Sequence, residues 1–298
     1  MISPIRGLVA ALCLTVLPFT AHASEEVDLS DMSVEQLIEA GNEGNAEAQY
    51  LVGEAYYYGN DVEENEPEAM KWYHKSAENG FVTAQYDLGQ IYANGWGAEK
   101  DPQKAVEWYG KAAAQDHEGS IVNLADLYFY GQDIPMDEQK AFDLYTRAME
   151  MQNTEAYKKI ARYHVSSDII AQDFAKAQQL YLEAGELGDA EGYQYAAGLI
   201  DAGRGSEADP VKATALYRSA AEMGNSESQR QLAMRFIKGK GIEQNIMSGL
   251  VWLQVSIDND GPGGPAFDKY SADLSEADLE KVSELAMQCS FSELTECP

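Results

Sequence analysis

One register of 36 residues runs through most of this chain and constrains its fold more than any other feature. Gly53, Gly89, Ala125, Ala161, Ala197 and Ala233 stand in one column, and the neighbouring columns align across six copies without a gap. Tyr56, Tyr92, Tyr128, His164, Ile200 and Phe236 make an apolar or aromatic column. Ala69, Ala105, Ala141, Ala177, Ala213 and Gly249 are all small, whereas Trp72, Trp108, Leu144, Leu180, Leu216 and Trp252 are all large. A repeat of this length is one supersecondary unit that cannot bury its own apolar face, so neighbours must stack to form a continuous core. The small positions let two helices approach closely, and the large ones fill the space beside them.

Punctuation inside the repeat fixes the helices. Gly59, Gly95, Gly131, Ser167, Gly203 and Gly239 form a glycine column with one lapse, suited to the left-handed residue that ends a helix. Then come Asn65, Asp101, Asp137, Asp173, Asp209 and Asn245, whose side-chain oxygens can accept from the free N–H groups that open a second helix. Pro102 and Pro210 follow their caps directly, where a missing N–H costs nothing. The expectation is an all-α, α/α superhelical solenoid of about six 36-residue helix-turn-helix repeats over residues 44–259, closed by capping helices. Residues 24–43 supply the amino-terminal cap, with Ser33 to Ala40 in the phase of a second helix. Over 260–298, a loop spanning Asp258 to Pro265 leads into an amphipathic helix from Leu274 to Cys289.

Residues 1–23 read as an export signal rather than as part of the fold. Arg6 precedes a 12-residue apolar run from Leu8 to Phe19, and Ala21-His22-Ala23 gives the small-x-small pattern for cleavage before Ser24. Twelve residues fall short of the ~20 that a spanning helix needs, and Cys13 lies mid-run behind bulky Leu12, which argues against a lipoprotein. No Asn-x-Ser/Thr sequon occurs, so a periplasmic or secreted bacterial protein is the expectation. In that oxidising space Cys289 and Cys297, the cysteines that survive cleavage, are expected to pair. With 50 acidic against 21 basic residues the chain carries −29, a field that repels phosphate backbones and anionic headgroups. Nucleic acid and, after signal cleavage, membrane insertion are therefore not expected, and the chain is expected to act as a monomer.

The run Ala46-Glu47-Ala48-Gln49-Tyr50-Leu51-Val52-Gly53, then Tyr56-Tyr57-Tyr58-Gly59, then Ala69-Met70-Lys71-Trp72-Tyr73-His74-Lys75-Ser76-Ala77, resembles the Sel-one-like repeat family. Residues 80–114 repeat the match and the resemblance spans 33–257; the fourth copy departs most, with Ser167 for glycine and His164 for the aromatic. This family is a branch of the tetratricopeptide-type solenoids, and the resemblance implies a non-enzymatic adaptor that binds a protein or peptide partner, often in envelope assembly or regulation. It also implies that first helices line a concave groove. On that basis Tyr50, Tyr57, Tyr58, Tyr86, Phe129 and Tyr130 make the amino half of the groove aromatic. Lys158, Arg162, Gln194, Asp201, Arg230 and Lys238 make its carboxyl half mixed and locally basic. Of these, Tyr50, Tyr57, Tyr58, Tyr86, Phe129, Tyr130, Arg162 and Arg230 are the partner-binding candidates, weighed against a role as filler between repeats.

Catalytic alternatives find little support. Some exported relatives bind or hydrolyse penicillins, a chemistry that uses Ser-x-x-Lys. No lysine here has serine three residues before it, and cysteines in every repeat are absent. His74, His117 and His164 show no ligand spacing, so no metal and no cofactor is expected. The acidic run Ser256-Ile257-Asp258-Asn259-Asp260-Gly261 starts with Ser and reaches Phe267 at the twelfth position, which fails as a calcium loop. A penicillin-binding or β-lactamase-like enzyme, or a secreted effector contacting host proteins, are the alternatives to an interaction scaffold.

Overall fold

The computed structural model describes residue 29 and residues 31–131, 133–292, 294 and 297–298; the segment read as an export signal lies outside the described residues. Every element among the described residues is helical. After α1 (Val34–Asn42) come six antiparallel pairs: α2 (Ala46–Tyr58) with α3 (Glu66–Glu78), α4 (Val82–Asn94) with α5 (Pro102–Ala113), and α6 (Glu118–Tyr130) with α7 (Glu138–Glu150). Then follow α8 (Thr154–Val165) with α9 (Phe174–Glu186), α10 (Ala190–Asp201) with α11 (Pro210–Glu222), and α12 (Ser226–Lys238) with α13 (Ile246–Asp258). Each helix packs on the next along the chain, so the pairs stack lengthwise as a solenoid.

The Asx column is a column of N-caps. Asn65, Asp101, Asp137, Asp173, Asp209 and Asn245 each accept from the backbone N–H three residues on, in all six second helices. Gly59, Gly95, Gly131 and Gly239 end their first helices in the left-handed conformation. Where the column lapses, α8 stops one position short at Val165 and Ser166 turns extended (φ −161°). The Ser167 hydroxyl then accepts from the Ile169 N–H at 3.2 Å, so the fourth inter-helix loop takes its own course.

Close approach explains the small column. A methyl added at Gly53 would lie 2.7 Å from the Tyr73 ring, and one at Gly89 2.4 Å from the Tyr109 ring. The later copies carry alanine there, fully buried at Ala125, Ala161, Ala197 and Ala233. A polar clasp also recurs. Buried Gln49, Gln85 and Gln229 donate to the carbonyls of Gly41, Ala77 and Ala221, and accept from Asn79, Gln115 and Asn259 just past the end of the following helix. Because Gly41 occupies the place of Ala77, α1 stands where a preceding repeat's second helix would stand. These amides are satisfied on both sides, which is what permits their burial.

The carboxyl end differs from the expectation in one element. The stretch read as a loop up to Pro265 already turns helical at Gly264, giving α14 (Gly264–Ser271) before α15 (Glu276–Phe291). Pro265 sits in the first helical turn, where proline starts a helix as readily as it breaks one. Val282, Ala286 and Cys289 of α15 are buried with Trp252 and Leu253 of α13, which seals the last repeat. Cys289 and Cys297 form a disulfide, and the Trp252 indole N–H donates to the Pro298 carbonyl at 2.9 Å.

Two stability outcomes follow. Asp137→Ala, which leaves the Lys140 N–H without its acceptor, should cost about 1 kcal/mol in urea denaturation. Replacing Cys297 with serine opens a short loop and should cost roughly 2–3 kcal/mol. Because Trp252 is fully buried beside this tail, a red-shifted tryptophan emission in the Cys297→Ser protein would mark its release.

Candidate functional site

Cavities are strung along the first-helix layer, each opening between consecutive repeats. Between repeats one and two, Tyr50, Glu54, Tyr57 and Tyr58 of α2 face Asp87, Gln90 and Ile91 of α4 around about 200 Å³, with Trp96 at the rim. Between repeats three and four, Phe129, Lys159, Arg162 and Tyr163 enclose about 420 Å³ with the irregular Ser166–Asp168 loop. Further on, Lys158, Tyr181 and Tyr195 line about 280 Å³, and Tyr195, Arg204 and Tyr217 about 350 Å³.

The candidate residues separate into two kinds. Tyr57, Tyr58 and Tyr130 present 43%, 64% and 51% of their surface to solvent. Tyr57 and Tyr58 meet edge to face at 5.0 Å, as do Phe129 and Tyr130. Tyr50, Tyr86 and Phe129 are half-buried and packed. Tyr50 lies against Tyr73 (5.5 Å) and Phe81 (5.3 Å) and donates its hydroxyl to Asp87 at 2.9 Å. Tyr86 stacks on His117 at 4.6 Å and Phe129 packs on Tyr163 at 5.8 Å. The inner aromatics thus form the floor and the exposed ones the walls.

The carboxyl half, expected to be mixed and locally basic, holds several of its cations in ion pairs and leaves Arg162 and Lys238 without one among the described residues. Lys158 is held by Glu155, Asp189 and Glu191 at 2.9, 3.0 and 2.6 Å, and these bonds raise its pKa against the opposing effect of burial. Lys159 reaches Asp126 at 3.1 Å. Arg230 donates twice to Glu227, at 2.9 and 2.6 Å. Asp201 is bound by buried Arg235 at 2.9 Å and by Lys240 at 2.7 Å. Arg162 stands apart: it is exposed, lies 5.7 Å from the Phe129 ring, and has no carboxylate within salt-bridge distance among the described residues. In the amino half the imbalance is reversed. Glu54, Glu66 and Asp87 have no cationic partner among the described residues, and burial raises the pKa of both Glu54 and Asp87.

The histidines are taken up by structure. His117 caps α6, its Nδ1 accepting from the Ser120 N–H; the His74 Nε2 bonds the Tyr92 hydroxyl at 2.9 Å; His164 fills its aromatic column. Among the described residues no group of three or more histidine, cysteine or acidic side chains is placed to hold a metal ion. Nor is any described helix long and apolar enough to cross a membrane.

The Sel1 repeat model matches six consecutive segments, 46–81, 82–117, 120–153, 154–189, 193–225 and 226–260. The chain belongs to the Sel1 repeat family. Solved structures resemble it in fold: a protective antigen of uropathogenic Escherichia coli strains with an SLR fold superposes with a TM-score of 0.75 at 24% identity over 88% of this chain. The chain spans 58% of that antigen's length. A Sel1 repeat protein from Oxalobacter formigenes gives 0.63 at 27% identity, covering 76% of this chain and 99% of the other. Comparison with curated proteins returns no match. Sel1 repeat solenoids generally serve as protein-protein interaction scaffolds.

Within the Sel1 array several lining residues escaped sequence reasoning, Asp87 and Tyr195 among them, and the clearest is a tryptophan. Trp96 is 61% exposed, in the loop just after α4 rather than on a helix. Its equivalents in the other repeats are Asn60, Gln132, Asp168, Arg204 and Lys240, all polar. An aromatic in an otherwise hydrophilic column has no packing reason to be there, and that contrast was readable.

Asp201 gives a test of the carboxyl half as structure. Burial alone would raise its carboxyl, but hydrogen bonds from Lys240 and Arg235 outweigh that and hold it below the usual range. A folded pKa below the unfolded one adds stability above the unfolded value, and that gain is lost as pH falls through the folded value. Asp201→Asn should cost about 3 kcal/mol at pH 7 because Arg235 is left buried and unpaired. The difference from wild type in urea denaturation should shrink as pH drops below about 4.

Proposed function

We propose that this protein is an exported, non-enzymatic scaffold that holds a partner polypeptide along the concave face of its first helices, in the periplasm or outside the cell, and so assembles or restrains an envelope protein. The single observation carrying the groove is the set of exposed aromatics, Tyr57, Tyr58, Trp96 and Tyr130, on a face whose cavities join one repeat to the next. Large rings left in solvent add surface without stabilising the fold, and aromatic side chains of this kind are the commonest anchors of protein interfaces. The irregular fourth loop lines the cavity of about 420 Å³ where Arg162 stands without a carboxylate partner among the described residues, which favours an extended segment that carries polar contacts as well as apolar ones. Export is supported by the amino-terminal signal pattern and by the Cys289–Cys297 disulfide, which persists in an oxidising compartment.

Simultaneous replacement of Tyr57, Tyr58 and Tyr130 by alanine should abolish partner capture while the circular-dichroism melt stays within a few degrees of wild type. Photo-crosslinking in intact cells from a residue introduced at Gln90, which lines the same cavity as Tyr57 and Tyr58, followed by mass spectrometry, should yield one dominant adduct that the triple substitution removes. A melt that collapses instead would place these rings in the core and end the groove reading.

A further inference from the structure

The cavity between repeats one and two differs from the rest of the face in what is left unpaired. Elsewhere several aromatics already carry one of the chain's own cations: Lys75 sits 3.9 Å from the Trp72 ring centre, Lys111 3.7 Å from Trp108, Lys140 4.2 Å from Tyr128, and Lys159 5.4 Å from Tyr130. Among the described residues no lysine or arginine lies over Tyr50, Tyr57, Tyr58, Tyr73 or Trp96, the five rings of this cavity. Its carboxylates are equally uncompensated, since Glu54, Glu66 and Asp87 make no ion pair there. Glu54 and Asp87 are half-buried; burial raises the pKa of both, the Asp87 charge raises Glu54 further, His117 on the far side lowers Asp87, and the Tyr50 hydroxyl donates to Asp87. The site therefore concentrates negative potential behind aromatic faces, inside a chain that already carries −29.

We propose that this cavity is a receptor for a cationic side chain, arginine in preference to lysine, projecting from the bound partner polypeptide. The inference rests on the groove reading above and adds the chemistry of one contact. Aromatic faces attract organic cations, and the attraction strengthens where water is partly excluded. Calcium or magnesium would instead need six or more oxygen ligands, and this wall is mostly rings. Arginine is favoured over lysine because its planar guanidinium can stack on a ring while presenting two parallel N–H groups to a carboxylate. About 200 Å³ suits one side chain, not a folded element. The departure at Trp96 fits as well: it adds a third exposed face where the other repeats place a polar residue.

The probe is acetyl-Gly-Arg-Gly-amide, with acetyl-Gly-citrulline-Gly-amide as its neutral counterpart of nearly the same shape. Binding is followed at the Trp96 indole N–H by two-dimensional NMR of the full protein, the resonance being assigned with Trp96→Phe. The arginine peptide should shift that resonance saturably with a millimolar Kd, at least about tenfold tighter than citrulline. Raising the salt from about 0.05 to 0.5 M should weaken only the arginine peptide. Glu54→Gln with Asp87→Asn, both isosteric, should reduce arginine affinity about tenfold without altering the melt. Equal binding of citrulline, no saturable shift, or salt-independent binding would overturn the proposal. So would tetramethylammonium binding more than about tenfold tighter than the arginine peptide, which would make the cavity a small-amine site. If the peptide fails while the tyrosine triple substitution still loses the partner, the groove stands and the cation receptor falls.

Discussion

Tyr73 lies so close to Gly53, and Tyr109 to Gly89, that neither glycine could accept a methyl without moving a ring. This packing of a second-helix tyrosine onto a small residue of the first helix holds these two hairpins at a fixed spacing, and the tyrosine recurs in the next three repeats. Everything else is referred to it. The same rings reach through to the opposite layer, where Tyr73, Tyr181 and Tyr217 also line the cavities of the first-helix face. The column that closes the core therefore also builds the floor of the trough, and a change made for packing alters the binding surface too.

Much of this was legible in the sequence because a repeat turns each position into six observations. A lone Asp101 before Pro102 is a weak helix signal, yet six Asx residues in register identify the cap, and all six are bonded as caps. Where the glycine is missing, Ser166 leaves the helical region and the loop after α8 takes its own course. Reading fails where the register ends. Gly264-Pro265 has no aligned copies to show that its proline starts a helix, so α14 went unseen.

The candidate site was only partly legible, for a different reason. Column membership says which face a residue shares, not how deeply its neighbours cover it. Tyr50 and Tyr57 stand on one helix, yet Phe81 and Tyr73 cover the first and leave the second in solvent. Charges in the carboxyl half were read down columns rather than along the helix, which hides the pairs that neutralise several of its cations. Glu227 lies three residues before Arg230, and Glu155 three before Lys158, so their neutralisation could have been anticipated from sequence.

What remains after those pairs cancel gives the trough its direction. Glu54 and Arg162 occupy the same position of the first and fourth repeats, with Gln90 and Asp126 between them. Asp126 is already held by Lys159 and by the Tyr145 hydroxyl, so the uncompensated charges in that column are a carboxylate at one end and a guanidinium three repeats on. A solenoid repeats its backbone and would otherwise offer a sliding ligand several equivalent registers. Opposite unpaired charges at fixed separation break that equivalence, because a polypeptide shifted by one repeat, or reversed, would bring its own charges against neutralised positions or like charge. Mismatched charges of that kind discriminate through their desolvation and repulsion more than matched ones add affinity. The regular helices thus supply surface, and the few positions that depart from the repeat supply register and polarity.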